Sequence, residues 1–191
     1  MKSKHDFDRV HGAQGLFRLF LEALANPGRD LPMGAYTRQF AAHGRWLAPA
    51  LTLLDNETRF FWDGEAALGE EIRFLSGASC APLPEADFVF LSAPADPAGV
   101  LSQVKAGTHR DPHDSALIFV AAPGDLSLSV SLSGPGIPPE GRELELSPGE
   151  AAWVRARDDQ GFEYPCGVEL VCLRGDSLVA LTRKAAAVWP T

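Results

Sequence analysis

Ala116-Leu117-Ile118-Phe119-Val120-Ala121 is an apolar run without a polar break. A strand wetted on one face alternates apolar and polar residues, whereas a continuous apolar run of this length suits a strand covered on both faces. Residues 109–115 before it form a polar loop, and the pattern changes after it. Leu126, Leu128, Val130 and Leu132 alternate with Ser127, Ser129 and Ser131, which predicts a strand with one polar face.

Helices and strands alternate on the amino-terminal side of this run. Ala13, Leu16, Phe17, Phe20 and Leu24 recur at helical spacing and predict a helix over 13–25, closed by Asn26-Pro27-Gly28. Further helices are expected over 46–54, 65–75 and 97–104, with strands over 59–62 and 87–91. On the carboxyl side, Ser147-Pro148-Gly149-Glu150 spells a helix start. Serine caps, proline takes the first helical position and glutamate closes a capping box, and about ten helical residues should follow. Residues 168–173 and 178–181 read as strands joined through Arg174-Gly175-Asp176 as a hairpin. The expected architecture is a three-layer α/β fold with a mixed β-sheet, in a single domain spanning residues 1–191.

Composition narrows the function. The chain of 191 residues is 46% hydrophobic and 22% charged, and carries a formal net charge of −8. A chain of this size buries about 70% of its unfolded surface and needs no metal or disulfide staple. Its acidity gives no long-range attraction to nucleic acid or to an anionic membrane, so neither is expected as a partner. The polar amino terminus has no signal-peptide core, and no apolar stretch approaches the ~20 residues of a membrane span, so a cytoplasmic location is expected. Cys80, Cys166 and Cys172 have neither zinc nor iron–sulfur spacing and read as free thiols.

No self-contained catalytic set emerges. The lysines are Lys2, Lys4, Lys105 and Lys184, and none sits in a context that would desolvate it for a Schiff base. His109 and His113 are four apart, but Pro112 between them opposes a helix that would align them. Cys166 has no histidine near it in sequence, although the fold could supply one. Gly134-Pro135-Gly136 could offer backbone N–H groups to an anion, or be a plain turn. Arg18 and Arg183 could form forks for a carboxylate or phosphoryl group, or pair with any of the 25 acidic residues. Arg174-Gly175-Asp176 spells an adhesion tripeptide, but reads here as a hairpin turn.

Several motifs, in order along nearly the whole chain, resemble the PhnH family of the bacterial carbon–phosphorus lyase system. They are Phe17-Arg18 leading into Asn26-Pro27-Gly28; Leu53-Leu54-Asp55-Asn56-Glu57-Thr58; Leu132-Ser133-Gly134-Pro135-Gly136-Ile137; Phe162-Glu163-Tyr164-Pro165-Cys166-Gly167-Val168-Glu169-Leu170, an aromatic-Pro-x-Gly segment before an apolar strand; and Leu181-Thr182-Arg183. The sequence departs from the family where Leu75-Ser76 replace a frequent His-Thr, where Thr182 replaces a proline, and where Glu169 replaces a common aspartate.

The resemblance implies a fold like that of the pyridoxal-phosphate-dependent transferases without the cofactor site. It also implies a homodimer that joins PhnG-, PhnI- and PhnJ-type subunits in a core complex. That machinery transfers the ribose triphosphate moiety of ATP to an alkylphosphonate before the C–P bond is broken. On this reading the chain has no cofactor, no metal ligands and no catalytic residue of its own. Arg18, Gly134, Gly136, Tyr164 and Arg183 are candidates for binding an anion or a partner, and Trp189 is the candidate interface anchor. The competing expectations are a small independent α/β enzyme for a nucleotide or phosphorylated metabolite, and a homodimeric binding protein.

Overall fold

The computed structural model describes residues 6–92, 96–121 and 124–189. Lys2 and Lys4 lie outside them. The first elements are α1 (His11–Ala25), β1 (Asp30–Pro32), α2 (Gly34–Thr37), α3 (Gly44–Leu53), β2 (Arg59–Trp62), α4 (Ala66–Ser76), β3 (Ser79–Cys80) and β4 (Phe88–Leu91). There follow α5 (Pro97–Leu101), β5 (Leu117–Val120), β6 (Leu128–Ser133), β7 (Arg142–Leu146), α6 (Pro148–Asp159), β8 (Glu169–Arg174), β9 (Ser177–Leu181) and β10 (Ala186–Val188).

The main sheet has the order β1-β9-β8-β5-β4-β2-β3. From β3 to β8 neighbouring strands run parallel. The β8–β9 hairpin then adds an antiparallel strand, on which β1 closes the edge. Register places Phe90, Phe119 and Val171 side by side on one face. That face packs against Leu16 and Phe20 of α1, Leu47 of α3 and Ile72 of α4. The alternate residues Val89, Ile118, Leu170 and Cys172 point the other way, to Leu101 of α5 and to Trp153 and Val154 of α6. Ile118, Phe119 and Val120 are all buried, as a strand between two layers requires. The result is a three-layer α/β arrangement around a mixed sheet.

The serine-alternating strand lies outside this sheet. β6 pairs with β7 and β10 in a second, three-stranded antiparallel sheet, which covers the same face as α5 and α6. Val130 and Leu132 point inward while Leu126 and Leu128 stay exposed, so the alternation serves packing only over its second half. β7 has no counterpart among the elements expected from the sequence. Its Leu144 and Leu146 are buried between exposed glutamates, which is a period-2 pattern too short to outweigh the prolines beside it. β10 forms in what reads as an alanine-rich tail. β1, β3 and β10 have three residues or fewer, and pairing rather than local propensity makes them.

On α1 the expected stripe is corrected at Phe17. The buried residues are Leu16, Phe20 and Ala23, whereas Phe17 is 45% exposed and lies with Val10 and Leu21 on the outer surface. The helix touches the sheet along one stripe, and its residues are apolar on more than that stripe. No helix among the described residues is long and apolar enough to cross a membrane.

The start of α6 is as its sequence predicts. Ser147 Oγ accepts from the Glu150 N–H at 3.2 Å, and Glu150 Oε2 accepts from the Ser147 N–H at 2.9 Å. Glu150 has a second role. Arg174, at the end of β8, donates to it through Nε at 2.6 Å and Nη2 at 2.9 Å. Arg174 also reaches the Glu145 carbonyl of β7 at 2.7 Å and Asp30 of β1 at 3.4 Å. The hairpin turn itself is engaged, since Asp176 accepts from Arg38 and Thr37 beside α2.

Two stability predictions follow from these charges. Glutamine also serves at the third position of a capping box, so Glu150→Gln keeps the cap and removes only the charge. Arg174, largely buried, would keep only the longer contact to Asp30 as an ion pair, and the loss should be about 2–3 kcal/mol in urea unfolding. The second concerns Asp87 at the head of β4. Burial works to raise its carboxyl, but the Lys105 ammonium, the Arg59 N–H and the Arg59 charge together hold it below its ordinary value. A carboxyl depressed in the folded state contributes stability above its unfolded value and loses it as pH falls through the folded one. Asp87→Asn should therefore be less stable than the parent at neutral pH, with the gap narrowing in acid titrations of the unfolding midpoint.

Candidate functional site

Three loops meet at the amino-terminal ends of β5 and β8. They are the segment 109–115, the segment 162–167 and the residues following β9. Arg183 stands at their junction, with its side chain 18% exposed. Its Nε donates to Glu169 Oε1 at 2.7 Å, and its own N–H donates to Glu169 Oε2 at 2.6 Å. Nη1 donates to the carbonyls of Pro112 at 2.9 Å and Pro165 at 2.8 Å, and Nη2 to Ser115 Oγ at 2.7 Å. The planar fork thus ties all three loops to the first residue of β8, and all three guanidinium nitrogens are engaged within the chain.

Arg183 separates two shallow concavities. One, of about 290 Å³, is lined by Pro112, His113, Tyr164, Pro165 and Arg183. The other, of about 350 Å³, lies between the end of α6 and the segment before β10. Its second arginine, Arg157, is also turned inward. Arg157 donates to the Thr182 and Ala185 carbonyls at 3.1 and 2.6 Å and to Asp158 at 2.7 Å. Tyr164 is 62% exposed and precedes a cis Pro165, and the Lys184 ammonium rests 4.0 Å from the centre of its ring. Lys105, the other described lysine, pairs with Asp87.

The remaining candidates lie elsewhere. Gly134 and Gly136 have φ of +131° and +79°, and their turn closes by the Ile137 N–H to Gly134 carbonyl bond at 3.1 Å. A β-carbon added at either would come within 2.3 Å of a carbonyl oxygen, that of Lys184 for Gly134 and that of Ala25 for Gly136. Carbonyl oxygens facing the turn are poor company for an anion, and the glycines allow backbone to pack on backbone. Arg18 is exposed on the outer surface of α1 beside Phe17 and Leu21, on a different helical layer from Arg183. Trp189 is partly buried against the α6 side of the core, with the Arg155 guanidinium 3.9 Å above its ring.

Sequence reasoning missed two features of this region. Glu169 and Arg183 are each other's partners, the first at a position where aspartate is common in the family and the second at a motif position. His109 lies beside Cys166, with Nδ1 3.8 Å from Sγ, a contact made across 57 residues of chain. His113 pairs instead with Asp114 at 3.7 Å.

A third concavity, of about 390 Å³, opens at the carboxyl end of β8, the edge at which open α/β sheets usually hold ligands. Arg174 lines it with its donors engaged. Arg45 also lines it, and forms no ion pair with any described residue. The Arg183 junction lies on the opposite edge of the sheet, where a structural role is the ordinary one.

Arg183→Lys should not substitute for the fork. A single ammonium cannot reach Glu169, two carbonyls and Ser115 together, so buried acceptors lose their partner. The expected cost is about 2–3 kcal/mol in urea unfolding, with the far-ultraviolet circular dichroism of the folded chain retained.

Comparison with known proteins agrees with this arrangement of motifs. Residues 5–187 match the family model described as bacterial phosphonate metabolism protein (PhnH). A relative from Stutzerimonas stutzeri, named "Putative C-P lyase subunit protein HtxG", is 27% identical over 173 residues, covering 89% of this chain and 83% of its own length. With the family model spanning almost all of the sequence, the chain belongs to the PhnH family of bacterial phosphonate metabolism proteins.

Proposed function

We propose that this chain is a C–P lyase subunit that supports transfer of the ribose triphosphate moiety of ATP to an alkylphosphonate, acting by assembly rather than as a lone catalyst. The observation that carries the reading is the state of its arginines. A site for a triphosphate needs several free cationic donors or a cradle of open N–H groups. Arg157, Arg174 and Arg183 all direct their donors into the protein, and the Gly134–Gly136 turn faces carbonyl oxygens. The family assignment supports a part in phosphonate metabolism.

On this reading the chain is a single PhnH-like domain that forms a cytoplasmic homodimer and joins PhnG-, PhnI- and PhnJ-type subunits. Its fold would be like that of the pyridoxal-phosphate-dependent transferases, with the cofactor site missing. Arg18, Tyr164 and Trp189 are the residues through which it would contact partners. Arg18 and Tyr164 are exposed, and Trp189 is half covered by Arg155.

A second reading has one observation in its favour. Arg45 at the rim of the carboxyl-edge concavity could hold a phosphorylated metabolite, which would make the chain a small binding protein or enzyme in its own right.

Co-expression separates the two. The subunit reading expects this chain to co-migrate with PhnG-, PhnI- and PhnJ-type proteins on size exclusion, and ribosyl-triphosphate transfer to fall when it is omitted. Elution of the chain alone, with transfer undiminished without it, would count against the proposal.

A further inference from the structure

Beside the Arg183 junction, three side chains stand in line across an imidazole. Cys166 Sγ is 3.8 Å from His109 Nδ1, and His109 Nε2 is 3.7 Å from Glu163 Oε2. A nucleophile touching a base, with a third group on the far side of that base, is the arrangement that activates a thiol. The carboxylate favours the imidazolium formed when the ring takes the thiol proton. The backbone fixes the two ends of the line together, because the Cys166 N–H donates to the Glu163 carbonyl at 2.9 Å. His109 is 62% exposed, so the group is open to solvent and to small molecules.

The other two cysteines offer a contrast. Cys172 is fully buried, and burial, helped by the Glu150 charge, pushes its thiol up to about 12. Cys80 is raised as well, by partial burial and then by Glu70. Both environments disfavour the thiolate, which is the reactive form.

The backbone around Cys166 limits what the thiol can do. Acyl transfer passes through an oxyanion that needs aimed N–H donors. The Cys166 and Gly167 N–H groups are both occupied, by the Glu163 carbonyl at 2.9 Å and the Ala106 carbonyl at 2.8 Å. Thiol–disulfide exchange needs no oxyanion hole, only a thiolate with access.

We infer that Cys166 is a thiol–disulfide exchange site that accepts low-molecular-weight disulfides, with His109 as its base and Glu163 supporting the imidazolium. The thiol proton passes to His109 Nδ1, and the thiolate attacks one sulfur of the disulfide. The disulfide bond breaks as the bond to Cys166 Sγ forms, and the departing thiolate takes up the proton held on His109. The disulfide is the oxidant, and one of its halves leaves reduced. No other cysteine is placed to resolve the adduct, since Cys80 and Cys172 are free thiols in other parts of the fold. The mixed disulfide therefore persists until an external thiol reverses it.

The test uses the full chain with 5,5′-dithiobis(2-nitrobenzoate), and then with oxidised glutathione. One thiol should react fast and map to Cys166 by peptide mass, and Cys166→Ser should abolish that phase. Proton transfer to the adjacent imidazole should give Cys166 a rate advantage of about threefold at neutral pH. His109→Gln should remove that advantage at neutral pH and converge with the parent in alkali, and Glu163→Gln should remove part of it. The exposed positions of His109 and Glu163 let both variants fold. A fast phase that maps to Cys80, or a His109→Gln rate equal to the parent's at neutral pH, overturns the inference.

Discussion

The β8–β9 hairpin is held at each end by a largely buried arginine. At the turn end, Arg174 meets Glu150, the Glu145 carbonyl and Asp30, and so joins α6, β7 and β1. At the open end, Arg183 meets Glu169, two loop carbonyls and Ser115. A cation removed from water is tolerated only when its charge and its donors are both answered. Here the answers come from segments far apart in sequence, so each arginine fixes where those segments can lie. The second sheet and α6 depend on the first anchor, and the three loops at the amino-terminal edge depend on the second.

The same arrangement bears on function. A grip on a triphosphate or phosphonate is best made by guanidinium groups whose donors face outward. Arg142, Arg157, Arg174 and Arg183 are turned inward, and the glycine turn that could have served as an anion cradle packs on carbonyl oxygens. Arg18 and Arg45 remain at the surface, on different parts of the molecule. Membership of the PhnH family places the chain in phosphonate metabolism, and these arginines suit a subunit whose contribution is made through assembly.

Much of the fold was legible because its signals are local. The apolar run at 116–121 announces a strand between two layers, Ser147 and Glu150 announce a capped helix, and the segment around Arg174-Gly175-Asp176 announces a hairpin. Other elements were hidden for definite reasons. β10 and β1 are made by pairing partners more than fifty residues away. β7 carries its period-2 pattern for only five residues beside two prolines. Phe17 fits the helical period but faces outward, because periodicity does not say how many sides of a helix are covered. The site was less legible still. Arg183 is visible as a motif position and Glu169 as a departure from the pattern, yet nothing local shows that they pair. The approach of His109 to Cys166 depends on two loops separated by the whole of β5, β6, β7 and α6.

Titration calorimetry of ATP into the isolated chain bears most directly on the claim that its buried arginines are structural. Because most of the donors of Arg157, Arg174 and Arg183 are spent on partners within the chain, no saturable heat is expected from the lone protein. Saturable binding that disappears in a folded Arg183→Lys variant would show that this guanidinium serves a ligand after all, and would contradict that claim.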